Sequence, residues 1–371
     1  MENKIKVPYL DLIQQFADTN LRREILRVFD NCNFVLGSLV STFEKYFANL
    51  CGTRFAVGVN SGTDAIFLSL KAANIGKGHE VITVANSFIA TAGAIIAAGA
   101  KPVFVDVGSD YNMDPSAIEK ALSPQTKAIL PVHLTGCPAS MDSIMKVANE
   151  RGLFVIEDAA QSVGASIDKR KVGSFGHVGC FSLHPLKNLN VAGDGGIITT
   201  DDEKIYSRLK QIRNHGLVNR DEIETFGYNS RLDTLHAVIG LYNLEKLEQV
   251  TQIRINNAKR YDHNLSDLSP NLTLPPRSEN IRQVYHTYVV QVEKREELVD
   301  KLYRAGIETK IHYPIPIHFQ KPCRELGWKK GDLPVTEEQA KMILSLPIHQ
   351  FLTNEQIDYV IENIIDFYNG R

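Results

Sequence analysis

From residue 55 to residue 201, short apolar runs alternate with segments of helical character, and few architectures accommodate that order. FAVGVN (55–60), EVITVA (80–85), KPVFVDV (101–107), KAILPVHL (127–134), LFVIEDA (153–159), VGCFSLH (178–184) and GGIITTD (195–201) read as strands. Between them SGTDAIFLSLKAANIG (61–76), the stretch around ATAGAIIAAGA (90–100) and SMDSIMKVANERG (140–152) read as helices. The strand runs are apolar almost throughout rather than at every second residue, so both faces of their sheet must be covered. The alternation therefore predicts an α/β fold, a mostly parallel sheet with helices on both faces.

A chain of 371 residues exceeds what one hydrophobic core usually serves, which points to two unequal domains. Leu232, Leu235, Ile239, Leu244, Leu247 and Val250 recur near the helical period and mark a long helix closing a large domain over 1–250. Past the turn-rich SPNLTLPPRSEN (269–280) come strand-like YHTYVVQV (285–292), a helix REELVDKLYRAG (295–306) and ETKIHYPIPIH (308–318). A final helix sets Ile357, Val360, Ile361, Ile364 and Phe367 on one face. Together these predict a smaller C-terminal α+β domain over 251–371.

Charge narrows the function classes. With 41 basic and 43 acidic side chains, the chain has no electrostatic footprint for nucleic acid. The longest apolar run is too short for a bilayer and is broken by glycine, so no membrane is expected as a partner. MENKIKVPYLDL lacks a signal-peptide core. Cys32, Cys51, Cys137, Cys180 and Cys323 show no CxxC spacing, which supports reduced thiols in a cytoplasmic protein and no metal site.

Ligands of open α/β sheets collect where strands end and helices begin. Ser61, Gly62 and Thr63 sit at such a junction, where free N–H groups and a hydroxyl can meet an anion; an ordinary helix cap is the alternative. Asp158 ends an apolar strand and either caps the next helix or neutralises a cation, with Gln161 three residues on. Lys187, among apolar and turn-forming residues, is either a surface lysine or a desolvated amine able to form a Schiff base. Phe88 follows EVITVANS and either packs in the core or stacks on a ring. The GDGG run (193–196) lacks phosphate-loop spacing and reads as turn glycine supporting the lysine loop. A phosphate-type turn, then Asp158, then Ser182 and Lys187, is the order of fold-type I enzymes that use pyridoxal 5'-phosphate (PLP).

The blocks VPYLDL, FVLGSLVSTFEKYFA, GVNSGTDAIFLSL, GHEVITVANSFIATA, KAILPVHLTGCPASMD, VIEDAAQSVGA, FSLHPLKNLNVAGDGG, GYNSRLDTLHA, IHYPIPIHFQ and LSLPIHQFLT span nearly the whole chain. Together they resemble the nucleotide-sugar aminotransferases of the DegT/StrS family, which are fold-type I PLP-dependent transferases. The resemblance implies a Schiff base between Lys187 and PLP, with pyridoxamine 5'-phosphate as the form that carries the amino group. It sets Asp158 on the pyridine nitrogen, Gln161 near the ring oxygen, Gly62, Thr63 and Ser182 on the phosphate, and Phe88 over the ring. Asn229 matches an asparagine that reaches the phosphate of the neighbouring subunit, which implies a homodimer with shared active sites.

One branch of the family, the sugar dehydratases, replaces the lysine with histidine. Lys187 is retained here and His184 lies three residues upstream, so transamination is expected and His184 is assigned to the substrate. Arg231, His312, Tyr313 and His318 are further candidates for the substrate pocket, and each has an equally open structural reading. The implied reaction is ping-pong transfer from L-glutamate to a keto group of a nucleotide-linked keto-deoxy sugar, at C3 in preference to C4. Lys187 would shuttle the proton. Another fold-type I enzyme acting on amino acids, or a non-catalytic PLP-binding regulatory protein, remains open at this point.

Overall fold

Seven strands form one sheet in the order Phe55–Val59, Gly196–Thr200, Val178–Ser182, Phe154–Asp158, Thr126–Ile129, Glu80–Val84, Lys101–Val105. The computed structural model that shows this describes residues 4–370. Every pair from Val178–Ser182 out to Lys101–Val105 is parallel. Gly196–Thr200 instead runs antiparallel to both neighbours. The reason lies in its connection. A parallel return needs a crossover, usually a helix, whereas residues 183–195 contain none and bring the chain straight back. That helix-free return is the loop that carries Lys187.

Adjacent strand residues feed different cores, as a two-residue period requires. Ala56, Phe181 and Ile197 pack with Phe43 and Phe47 of the helix Ser38–Cys51 and with Ala237 and Leu247 of the helix Thr234–Leu265. Val57, Cys180 and Ile198 face the other way, onto the helices Gly62–Ala72, Ile89–Ala97 and Met141–Arg151. Helices thus cover both faces, and the sheet is mostly parallel, as the sequence predicts. Phe181 meets Phe47 edge to face at 4.9 Å between centroids, a geometry aromatic pairs favour.

The helix Thr234–Leu265 runs through residue 250 and continues into a second core. Its Tyr261 and Leu265 pack there with Leu298, Leu302, Val360 and Ile364. An antiparallel sheet of Leu272–Thr273, Tyr288–Val292 and Ile343–Leu346 lies beside them. Val7 belongs to this core as well, so the N-terminal segment reaches the C-terminal unit. Thr353 and Gln356 form a reciprocal capping box that starts the last helix, Asn354–Tyr368, satisfying two otherwise orphaned donors. Leu232, expected in the long helix, lies just before it and packs in the core under Gly58. Among the described residues no helix is long and apolar enough to cross a membrane.

Candidate active site

The strand Phe55–Val59 ends at Asn60, and the Ser61 hydroxyl caps the helix Gly62–Ala72 by accepting from the Asp64 N–H at 3.0 Å. The N–H groups of Gly62 and Thr63, in the first turn, have no intrahelical acceptor and gain from the helix dipole behind them. Packing dictates glycine here: a Cβ on Gly62 would sit 2.7 Å from Ser182 Cβ. The GDGG run serves this same approach. A Cβ on Gly196 would stand 2.2 Å from the Ser61 carbonyl oxygen, so only glycine lets the returning strand lie against the turn. Ser182 therefore faces the helix N-terminus, and cap and anion cradle coexist.

Asp158 is 5 % exposed and accepts from Thr91 Oγ1 at 2.7 Å and from the Ala160 N–H at 3.2 Å. Burial raises its pKa, against which these hydrogen bonds and the charge of Lys187 act. Lys187 is partly exposed as a residue, yet desolvation brings its amine down to about 8, with Asp158 opposing that shift. The pair is thus mutually supporting, in surroundings that penalise each charge alone. Gln161 accepts from the Thr135 N–H at 2.7 Å and donates to the Tyr313 hydroxyl at 3.3 Å. Phe88, 56 % exposed, lies 6.0 Å from the Tyr313 ring, so it is free for stacking rather than spent on the core.

Of the other predicted residues, His312 and Tyr313 join this group. His312 Nδ1 lies 2.9 Å from Ser345 Oγ. Burial first, then Lys187 and Lys310, hold its pKa at about 4, so its ring is neutral near pH 7. His184 folds back on its own loop, its Nδ1 accepting from the Leu186 N–H at 3.3 Å. His318 does not join them: it has no exposed surface and contacts Glu337 at 3.2 Å, against a carboxylate that ties down Gly331 and Leu333. Arg231 donates to Asn214 at 3.2 Å. Asn229 pairs with Asn214 at the base of an arm whose apolar Phe226 is 99 % exposed.

Sequence reading missed Thr91, Thr135, Tyr9 and His286. Tyr9 packs on His312 at 5.8 Å. His286 is pushed far below its usual pKa by burial and by the cations Lys187 and Arg254. Thr91 gave the one usable signal, a hydroxyl within an apolar helix.

A sequence-family profile described as the DegT/DnrJ/EryC1/StrS aminotransferase family matches residues 16–365. The chain belongs to that family. Among curated family members, a "Pleiotropic regulatory protein" of Geobacillus stearothermophilus is 41 % identical over 98 % of this chain and 99 % of its own. UDP-N-acetyl-3-dehydro-alpha-D-glucosamine 3-aminotransferase of Acidithiobacillus ferrooxidans is 42 % identical over 96 % of both chains. The crystal structure of DesV from Streptomyces venezuelae superposes with a TM-score of 0.96 at 38 % identity, covering 98 % of this chain and 99 % of that one. NtdA from Bacillus subtilis, solved with bound PMP, gives 0.92 at 34 % identity over 100 % of this chain and 87 % of its own. The DegT-family fold is therefore shared along the full length.

Proposed function

We propose that this chain is a PLP-dependent aminotransferase that passes an amino group from L-glutamate to the C3 keto group of a nucleotide-linked keto-deoxy sugar. The Asp158–Lys187 couple carries this reading. Asp158 is a desolvated carboxylate in want of a cation, as a protonated pyridine nitrogen is, and Lys187 is an amine already tuned towards its neutral form. The glycine-lined turn at Gly62 and Thr63, with Ser182 opposite, fits a phosphate. The residues present therefore fit PLP: Lys187 Nζ to hold it covalently, Gln161 beside its ring oxygen, and Phe88 over its face. Bound there, PLP supplies an electron sink for negative charge developing at the substrate carbon.

With PLP bound, Lys187 Nζ would be the base that takes a proton from the substrate carbon and the acid that returns one. His312 and Tyr313 line the approach as neutral donors and acceptors. The C3 assignment draws on the relatives, whose names include the 3-aminotransferase above and a dTDP-3-amino-3,4,6-trideoxy-alpha-D-glucose transaminase of Streptomyces venezuelae at 39 % identity. Labelled glutamate incubated with dTDP- and UDP-linked 3-keto and 4-keto sugars tests the whole reading. Label is expected in a 3-amino product, and label confined to 4-amino products would overturn the C3 assignment. A cofactor that binds without any amino transfer would favour a regulatory role.

The amine pKa near 8 gives a signed expectation. Below that pH Lys187 is mostly ammonium and cannot attack a carbonyl; above it the neutral amine dominates. Covalent capture of PLP by the cofactor-free protein should accelerate as pH rises through about 8. Stopped-flow absorbance from pH 6 to pH 10, in steps of roughly half a unit, measures this, and a flat profile would contradict it.

The proposed assembly is a homodimer with shared sites, sited in the cytoplasm. The arm between Asn214 and Asn229 presents Val218, Ile223 and Phe226 to solvent, and clustered apolar exposure of this kind marks an interaction surface. Phe226→Asp should shift the protein from dimer to monomer in sedimentation and, by withdrawing Asn229 from the neighbouring phosphate, weaken PLP binding. A dimer that persists unchanged would remove the arm from the interface.

A further inference from the structure

Beneath the candidate cofactor residues lies a buried pair that the proposed reaction does not use. Glu157 precedes Asp158 in the same strand, so its side chain leaves the opposite face. It has no exposed surface. A lone carboxylate there would be costly, but this one is fully engaged. Glu157 Oε1 accepts from the Phe175 and Gly176 N–H groups at 2.8 and 2.7 Å. Glu157 Oε2 accepts from the Gly173 N–H at 2.8 Å and meets His133 Nε2 at 2.9 Å.

His133, also without exposed surface, has its protonation pattern fixed by its partners. Its Nδ1 accepts from the Ala139 N–H at 3.0 Å, which leaves Nε2 to carry the hydrogen donated to Glu157. The backbone of the same residue holds the chain that carries Asp158 and Gln161. Its N–H donates to the Asp158 carbonyl at 3.0 Å, and its own carbonyl accepts from Ser162 Oγ at 2.6 Å, next to Gln161. Two residues on, the Thr135 N–H holds Gln161 Oε1 at 2.7 Å. Thr135 has φ +60°, a conformation that non-glycine residues seldom hold without support.

We propose that Glu157 and His133 are positioning residues: the Glu157 carboxylate locks the His133 ring, and the ring locks the 133–135 turn that sets Asp158 and Gln161 against the cofactor. This deepens, and rests on, the PLP-dependent reading of the site. Neither residue has exposed surface with which to touch a cofactor or substrate. Their effect is geometric, and a turn displaced by a fraction of an ångström moves two cofactor contacts together. Burying a carboxylate with four donors is a demanding way to hold a strand end. It earns its place only if the orientation beyond it matters.

Glu157→Gln keeps the shape but turns an acceptor into a donor facing N–H groups, while His133→Phe keeps the ring and removes both of its hydrogen bonds. Leu298→Ala, in the distant small-domain core, supplies a matched loss of Tm. PLP affinity of the refolded cofactor-free protein and bound-cofactor absorbance against pH are both read. Each positioning variant is expected to weaken PLP binding roughly 10-fold, in the range seen when outer-shell partners are removed elsewhere. Each should also shift the pH midpoint of the absorbance, and Leu298→Ala should do neither. If Glu157→Gln does not fold, His133→Phe carries the comparison. Wild-type protein that binds no PLP would overturn the reading of the site itself. Wild-type binding, with affinity and midpoint unmoved in the variants, would overturn the positioning role alone.

Discussion

Lys187→Ala is expected to abolish amino transfer, with kcat falling by roughly four orders of magnitude, since the proposed reaction makes one residue both the covalent anchor and the proton shuttle. Borohydride should fix PLP to a peptide containing Lys187 in the wild type and leave no such adduct in the variant. The fold should survive. Burial penalises the Lys187 ammonium and depresses its pKa to about 8, so the unfolded chain holds its proton more tightly. That charge opposes folding below about pH 8 and ceases to do so as pH rises towards the ordinary lysine value. Removing it should leave Tm of the cofactor-free protein unchanged or higher near neutral pH. Activity lost while Tm holds separates a chemical role from a structural one. His184→Ala, changing the residue three positions away, should retain PLP and most turnover, because His184 is occupied with its own loop. Lys187→Ala protein that still transferred label at a wild-type rate would sink the assignment.

The fold was legible because its signals are local. Apolar strand runs and glycine-ended helices announce themselves within a few residues, and their alternation admits few architectures. What the pattern could not show was the reversed strand Gly196–Thr200, because direction depends on the connection and not on the strand's own residues. Ile343–Leu346 also escaped notice as a strand, being four buried residues directly after the helix Pro334–Met342. In the site, Lys187, Asp158 and Ser61–Thr63 stood out because each places a polar group where the local pattern is apolar or turning. Thr135 did not, since its backbone N–H gains its worth only from Gln161, 26 positions away; the Thr91 hydroxyl is conspicuous in an apolar helix but names no partner until Asp158, 67 positions on, is in place. His318 shows the converse difficulty. Its HYPIPIH setting suggested a pocket, but the fold buries it with Nε2 on Glu337, nineteen positions away.

Asp158→Asn is expected to retain the fold and bind PLP, but to lose roughly 10² to 10³ in kcat, the range seen when a preorganised electrostatic contact is removed from an enclosed site. Asparagine matches the carboxylate in size and still accepts from Thr91 Oγ1, so packing is conserved. What disappears is the charge. In the cofactor-free protein burial pushes the Asp158 pKa up, so an uncompensated carboxylate is disfavoured there. A protonated ring nitrogen reverses that balance, because ion and counter-ion stabilise each other strongly where water is scarce. With PLP in the proposed position the carboxylate would keep the pyridine protonated, and protonation is what would let the ring accept electron density. An amide cannot do so, and the loss should fall on kcat rather than on KM for either substrate. Thr91→Val separates charge from orientation. It leaves the carboxylate intact, removes its shortest hydrogen bond and should cost only about 10-fold. Asp158→Asn turning over within about threefold of wild type at equal PLP occupancy would show that the ring needs no counter-ion here, and that Asp158 serves merely to cap the turn at Ala160.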